Sequence, residues 1–269
     1  MDETVGDITY RFYKDGTARV KDYKGNKSII EIPKTVKNST VTAVSRDAFY
    51  ECDFLKKVIL PDSILEIGSN AFDSCTSLET INLGNSLYRI GAGAFSGCES
   101  LKSINIPKSV TKIGNYAFAG CTMLRLSSLP NSVTEIGRYA FYNCFYMKLT
   151  SLPTSLTNIY PSAFEECHAL KITSIPNGVT SIGERAFYGC NSITRIEIPV
   201  SVYSVGSEAF KNCSNLTEVT FKDILDTVGD SAFASCPKLT NIYVPWAEGA
   251  VSGAPWGATN ATIHYNTTT

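Results

Sequence analysis

The sequence predicts one continuous repeat solenoid, a β-rich α/β superhelix of nine 23-residue coils with parallel strands and a cap at each end. Three observations carry that prediction. The nine cysteines stand at 52, 75, 98, 121, 144, 167, 190, 213 and 236, so every neighbouring pair is 23 residues apart. Each closes an Ala-Phe-x-x-Cys unit, which puts Phe49, Phe72, Phe95 and their successors up to Phe233 on the same clock. An apolar residue follows each cysteine by three positions, from Leu55 and Leu78 through Met147 to Leu239, and opens a short segment that ends in proline in most copies. Gly84 and Lys222 are the exceptions to that proline.

A strict period of about 20 to 50 residues marks a solenoid in which each unit stacks only on its neighbours. Residues 23 apart then lie one above another, so the phenylalanines form one buried column and the cysteines a second. Burying a Phe contributes on the order of 2 to 3 kcal/mol, whereas ordering each residue costs about 1 to 2 kcal/mol. One coil cannot hold alone; nine together can.

Within a coil, residues 78–83 read as a half-buried strand, with Ile81 and Leu83 inward and Thr80 and Asn82 outward. Ala-Phe-x-x-Cys is too short for a full helix and reads as a helical turn. The Ser-Val-Thr-x-Ile-Gly segment, for example Val110 to Ile113, reads as a second extended piece on the opposite wall, closed by Gly114 and its equivalents. Tyr160 takes the place of that glycine in one copy and is expected to distort the turn. With strands stacking at about 4.8 Å, nine coils make a body on the order of 45 Å long.

The ends leave the period. Residues 8–23 are two alternating strands around Lys14-Asp15-Gly16, a hairpin signal. Residues 1–40 are therefore expected to be an N-terminal β-hairpin cap, 41–244 the repeats, and 245–269 an irregular C-terminal cap and tail. In that last segment Trp246 and Trp256 are expected to cover Phe233 and Ile242 as cap core, because bare ends expose apolar surface and unpaired strand backbone.

The consensus Leu-x-x-Ile-x-Ile-Pro-x-Ser-Val-Thr-x-Ile-Gly-x-x-Ala-Phe-x-x-Cys closely resembles the BspA-like, Treponema-type leucine-rich repeat over about residues 41–244. The hairpin resembles that family's amino-terminal cap. The resemblance implies a leucine-rich-repeat solenoid acting as a non-catalytic binding scaffold, in a bacterial surface or secreted protein that mediates adhesion or protein–protein interaction. Related arrays in phages make a carbohydrate-binding or phage-type receptor-binding module the alternative. The repeat carries no catalytic residues to transfer.

Composition agrees with an ordered, soluble chain: 43% apolar, 18% charged and a formal net charge of -1. That charge gives no support to nucleic-acid or membrane-surface binding. No run reaches the roughly 20 apolar residues that cross a bilayer, and the first residues lack a leader pattern. A trimmed leader leaves no trace, so the compartment rests on the resemblance.

The cysteines invite a chemical reading and resist it. A metal site needs clustered ligands such as Cys-x-x-Cys, which do not occur, and parallel thiols on neighbouring coils have poor disulfide torsions. They are expected to form a buried, reduced ladder. His168 beside Cys167 is no nucleophile pair, because adjacent residues point apart. No cofactor, metal or catalytic residue is expected.

The outward positions of the main strands are the expected binding surface. Lys102, Arg125, Lys148 and Lys171 occupy one column in four successive coils, roughly 5 Å apart. Such a row either splays into water or docks an acidic partner. Asn82, Asn105, Arg195, Glu197 and Tyr243 extend the same face. In three coils Leu126, Leu149 and Ile172 arrive one position early, leaving Ser127-Ser128, Thr150-Ser151 and Thr173-Ser174 behind them. This predicts a bulged strand with a hydroxyl-lined patch at Ser128, Ser151 and Ser174, although duplication of one repeat subtype gives the same pattern. Tyr116, Tyr139, Tyr142, Tyr188 and Tyr243 are candidate exposed anchors. The expected partner is a protein, with a glycan as the alternative, and neither nucleic acid nor membrane insertion.

Overall fold

A computed structural model describes residues 1–266 of the 269. The chain is a parallel β-solenoid of about 11 turns with about 23 residues per coil, and it contains no helix among the described residues. The count exceeds nine because a divergent coil lies at each end. Before the first cysteine, Thr17–Tyr23 pairs parallel with Ser39–Val44, and Ile29–Glu31 pairs parallel with Lys57–Ile59. After the last, the Phe233 amide donates to the Trp256 carbonyl (3.0 Å) and Thr262–Tyr265 pairs parallel with Asn241–Val244. Tyr23 takes the place of the repeat's phenylalanine, 5.5 Å from Phe49, whereas Trp256 packs on Phe221 (5.9 Å) and closes the coil without continuing the column.

Each coil has three sides. The main strand wall is a ladder of Ile29–Glu31, Lys57–Ile59, Thr80–Asn82 and Ser103–Ile104, resumed by Arg195–Ile198, Glu218–Phe221, Asn241–Val244 and Thr262–Tyr265. The second wall stacks two-residue strands in strict 23-residue register, such as Arg89–Ile90 on Lys112–Ile113. At its amino-terminal end Thr17–Tyr23 is antiparallel to Ile8–Phe12, which is antiparallel to Asp2–Val5.

The third side corrects the expected helical turn. Ala48, Tyr50 and Cys52 donate to Ser45, Asp47 and Phe49, three successive bonds of 3.2 to 3.4 Å that each span three residues. Asp47 and Glu51 interrupt them with φ of 56 and 57, left-handed conformations at which a right-handed helix cannot propagate. The amides of Asp47, Phe49 and Glu51 donate to Ser69, Ala71 and Asp73 of the next coil at 2.8 to 3.0 Å. Alternate amides are thus taken by the neighbouring coil, which makes a third ladder and removes the α component of the expected superhelix.

Inside, the phenylalanines form the expected column. Ring centroids from Phe49 to Phe233 follow one another at 4.9 to 5.6 Å with interplanar angles of 1 to 14°. All nine are fully buried. The second wall breaks once, at Tyr160. Gly137 and Gly183 donate to Ile113 and Ile159 (2.9 and 2.7 Å), but Tyr160 makes no such bond among the described residues. The cause is steric: a Cβ on Gly137 would lie 2.6 Å from the Asn115 amide nitrogen. Tyr160 carries that Cβ, so its coil stands off and the ladder parts between Glu135–Ile136 and Asn158–Ile159.

Candidate binding surface

The cysteines are structural in position. All nine are free and buried. The Cys75 thiol donates to the Phe49 carbonyl of the coil before (3.1 Å), and the pattern repeats up to Cys236 on Phe210 (3.2 Å). An apolar side chain in place of the thiol would leave that carbonyl with one partner fewer. Burial pushes the end thiols Cys52 and Cys236 up to about 11, and those between them higher still. Cys167 is committed to Phe141 (3.1 Å), while His168 sits 2.5 Å from the Glu166 carboxylate with its ring stacked on Phe145. The two do not face each other.

All twelve residues of the expected surface are exposed on the main strand wall. The cationic column is only partly neutralised. Lys102 pairs with Glu79 (2.7 Å) and Arg125 lies 6.0 Å above the Tyr146 ring, while Lys148 and Lys171 have no ion-pair partner among the described residues.

The early apolar residues have a larger effect than a local bulge. Leu124, Leu126 and Leu129 point in, with Arg125, Ser127 and Ser128 out, whereas the regular coil buries Leu101, Ile104 and Ile106. One shifted inward residue takes the strand out of register with its neighbours. At one rung, Ile32 donates to Ile59 and Leu60 to Asn82 (2.9 and 3.0 Å), and the series resumes with Ile175 to Glu197 (3.0 Å). The amides of Leu83, Ile106, Leu129 and Leu152 make no backbone bond among the described residues. The later rungs of the wall are therefore open between Asn105 and Ser174, while the earlier ones persist, with the Arg125, Lys148 and Lys171 amides donating to Lys102, Leu126 and Leu149 (3.0, 2.8 and 2.9 Å).

The unzipping opens grooves where regular and shifted coils meet. The larger, of 1320 Å³, brings together Asn82, Asn105, Arg125 and Ser128. Ile104, Ile106, Leu126 and Leu129 form its floor and keep 7 to 9% exposure, against 2% and 0% for the regular Ile196 and Ile198. The smaller, of 360 Å³, collects Ser174, Arg195 and Glu197, whose carboxylate is held by Lys222 at 3.0 Å. Lys148, Ser151 and Lys171 lie on the shifted coils between the two grooves. Tyr243 stands apart at the far end, stacked on His264 at 4.6 Å.

The aromatic expectations divide. Tyr116 and Tyr243 are exposed, but Tyr139 is sandwiched by Tyr116 (4.8 Å) and Tyr142 (6.0 Å), and Tyr188 lies under Arg185 (4.2 Å) with its hydroxyl bonded by Asn212. These three are packed rather than free. Sequence reading missed Tyr88, Tyr146 and Tyr203, which are 47 to 50% exposed. The signal was available for two of them, since neighbouring coils carry Thr111 and Thr180 in place of Tyr88 and Tyr203.

Comparison with known proteins agrees with this geometry. The family described as BspA type Leucine rich repeat region matches residues 42–171 and 134–248, in six copies. The chain belongs to that family and is a leucine-rich-repeat scaffold. Among solved structures it is similar to a leucine-rich repeat protein from Bacteroides ovatus at 30% identity and TM-score 0.85, covering 98% of this chain and 71% of that one. It is also similar to the T. pallidum Leucine Rich Repeat protein at 27% identity and TM-score 0.62, over 89% of this chain and 91% of that one. A leucine rich cell surface protein from Faecalibacterium prausnitzii matches at 26% identity and TM-score 0.61, over 100% and 95%. No curated protein matches the chain.

Proposed function

We propose that the chain is a non-catalytic binding scaffold of a bacterial surface or exterior, engaging another protein in adhesion or assembly through its main strand wall. The observation that carries this is the exposed column of Lys102, Arg125, Lys148 and Lys171 running beside a groove with an aliphatic floor. The similarity to a cell surface protein supports the location. No helix among the described residues is long and apolar enough to cross a membrane. The glycan alternative loses its platform, because Trp246 and Trp256 are 6% and 2% exposed and pack on Phe221.

The test is binding of the intact chain to arrays of extracellular-matrix proteins and of glycans. The charge-reversed variant Arg125→Glu, Lys148→Glu, Lys171→Glu is expected to lose about tenfold or more in protein binding. A control on the second wall, Arg89→Glu with Lys112→Glu, is expected to keep it. Binding confined to glycans, or lost only in the control, overturns the proposal.

A further inference from the structure

The larger groove differs from a general polar surface in three respects. Its floor is aliphatic, made by Ile104, Ile106, Leu126 and Leu129, and no aromatic ring lines it. Its charged lining residues are Lys108 and Arg125, with no carboxylate among them. Its walls contain unused main chain: Ser103–Ile104 pairs with Thr80–Asn82 on one side only, and the Ile106 and Leu129 amides make no backbone bond among the described residues.

These features select one kind of occupant. A sugar would find polar partners in Ser103, Asn105, Ser127 and Ser128 but no ring to stack on, so the aliphatic floor would stay unused. An extended polypeptide crossing the coils does not add a strand, but it carries carbonyl acceptors past the open Ile106 and Leu129 amides, one coil apart, and side chains to the floor and the cations. The aliphatic floor matches one apolar side chain, and the cations match carboxylates on either side of it.

We propose that this groove takes an extended acidic segment of a partner protein, which seats an aliphatic side chain on the floor and lays carboxylates along Arg125, Lys148 and Lys171. The inference rests on the protein-binding reading above and names the partner's chemistry. Lys102 contributes little to it, since Glu79 already neutralises that end of the column. The segment runs along the solenoid axis, past about three coil steps, or roughly 14 Å.

The probe is a fluorescein-labelled peptide of about ten residues that alternates acidic and aliphatic side chains, long enough at about 3.3 Å per residue to cover that distance. Fluorescence anisotropy on the intact chain is expected to report binding that weakens with added salt. Asn105→Trp places a ring over the groove, and Tyr243 occupies the equivalent position on a regular coil, so the fold accommodates an aromatic there. That variant is expected to weaken binding about tenfold with an unchanged circular dichroism spectrum and melting temperature. Lys148→Glu with Lys171→Glu is expected to weaken it comparably and to flatten the salt dependence.

Equal affinity for wild type and Asn105→Trp overturns the groove. Equal affinity for an all-glutamate peptide of the same length overturns the aliphatic anchor. Binding of a sulfated oligosaccharide that the peptide cannot displace, with no peptide binding, overturns the class of partner. Matrix-protein capture that survives Asn105→Trp leaves the scaffold reading standing while removing this site, so the two failures are distinguishable.

Discussion

From Cys75 onward the thiol of each coil bonds the phenylalanine carbonyl of the coil before it, and the two repeated residues are thus parts of one vertical device. Phe141 sits mid-column, 5.3 Å from Phe118 and 5.6 Å from Phe164. Phe141→Ala is expected to cost about 3 to 5 kcal/mol by cavity formation, measured by denaturant unfolding. The thiols predict an alkaline weakness. The unfolded chain loses thiol protons above about pH 8.5, while burial raises the folded values of Cys52 and Cys236 to about 11. Their contribution is complete below the unfolded value and is lost as pH rises through the folded one. Melting temperature should therefore fall from about pH 9 upward, and a thiol reagent should find the nine cysteines reactive only after denaturation. Phenylalanine column and thiol ladder were both legible in the sequence, because a strict period fixes which residues are vertical neighbours. That the thiol selects a carbonyl 26 residues back required coordinates.

Each side of the coil keeps its own ladder, and two of the three ladders are broken mid-molecule for different reasons. On the second wall the cause is one Cβ, at Tyr160; on the main wall it is a shift of the inward residue in three coils. The glycine positions are tight throughout: a Cβ on Gly206 would lie 2.5 Å from the Glu184 nitrogen. Gly206→Ala is expected to cost about 1 to 3 kcal/mol, because the clash is with backbone, which yields less readily than a side chain. Denaturant unfolding checks it, and a neutral result would remove the explanation given for Tyr160. The sequence announced both breaks through Leu126, Leu149, Ile172 and Tyr160. It did not announce their extent, since a lost rung depends on the coils above and below. The helical reading of Ala-Phe-x-x-Cys failed for a related reason: alternate amides there serve the next coil, a partner that no local pattern displays.

For the whole molecule, equivalence of layers matters more than the motif that signals it. The two extra coils escaped the sequence reading because they lack the Ala-Phe-x-x-Cys unit, yet Tyr23 lies 5.5 Å from Phe49 in the phenylalanine's place, and Trp256 fills the last coil by packing on Phe221. With the interior spent on stacking, specificity is left to the outside, where the unzipped stretch of the main wall is the one that joins a cationic column to accessible aliphatic floor. The twelve outward residues were legible as exposed positions; their division into two grooves and an isolated Tyr243 was not, because it follows from the lost register.

Hydrogen–deuterium exchange of the intact chain, alone and with the matrix protein it binds most tightly, tests this account most directly. Fast exchange is predicted for Ile106, Leu129 and Leu152 in the free chain, against slow exchange for Leu60 and Ile175, with protection appearing across residues 103–109 and 125–132 on binding. Slow exchange at all five in the free chain, or protection confined to the second wall, would contradict it.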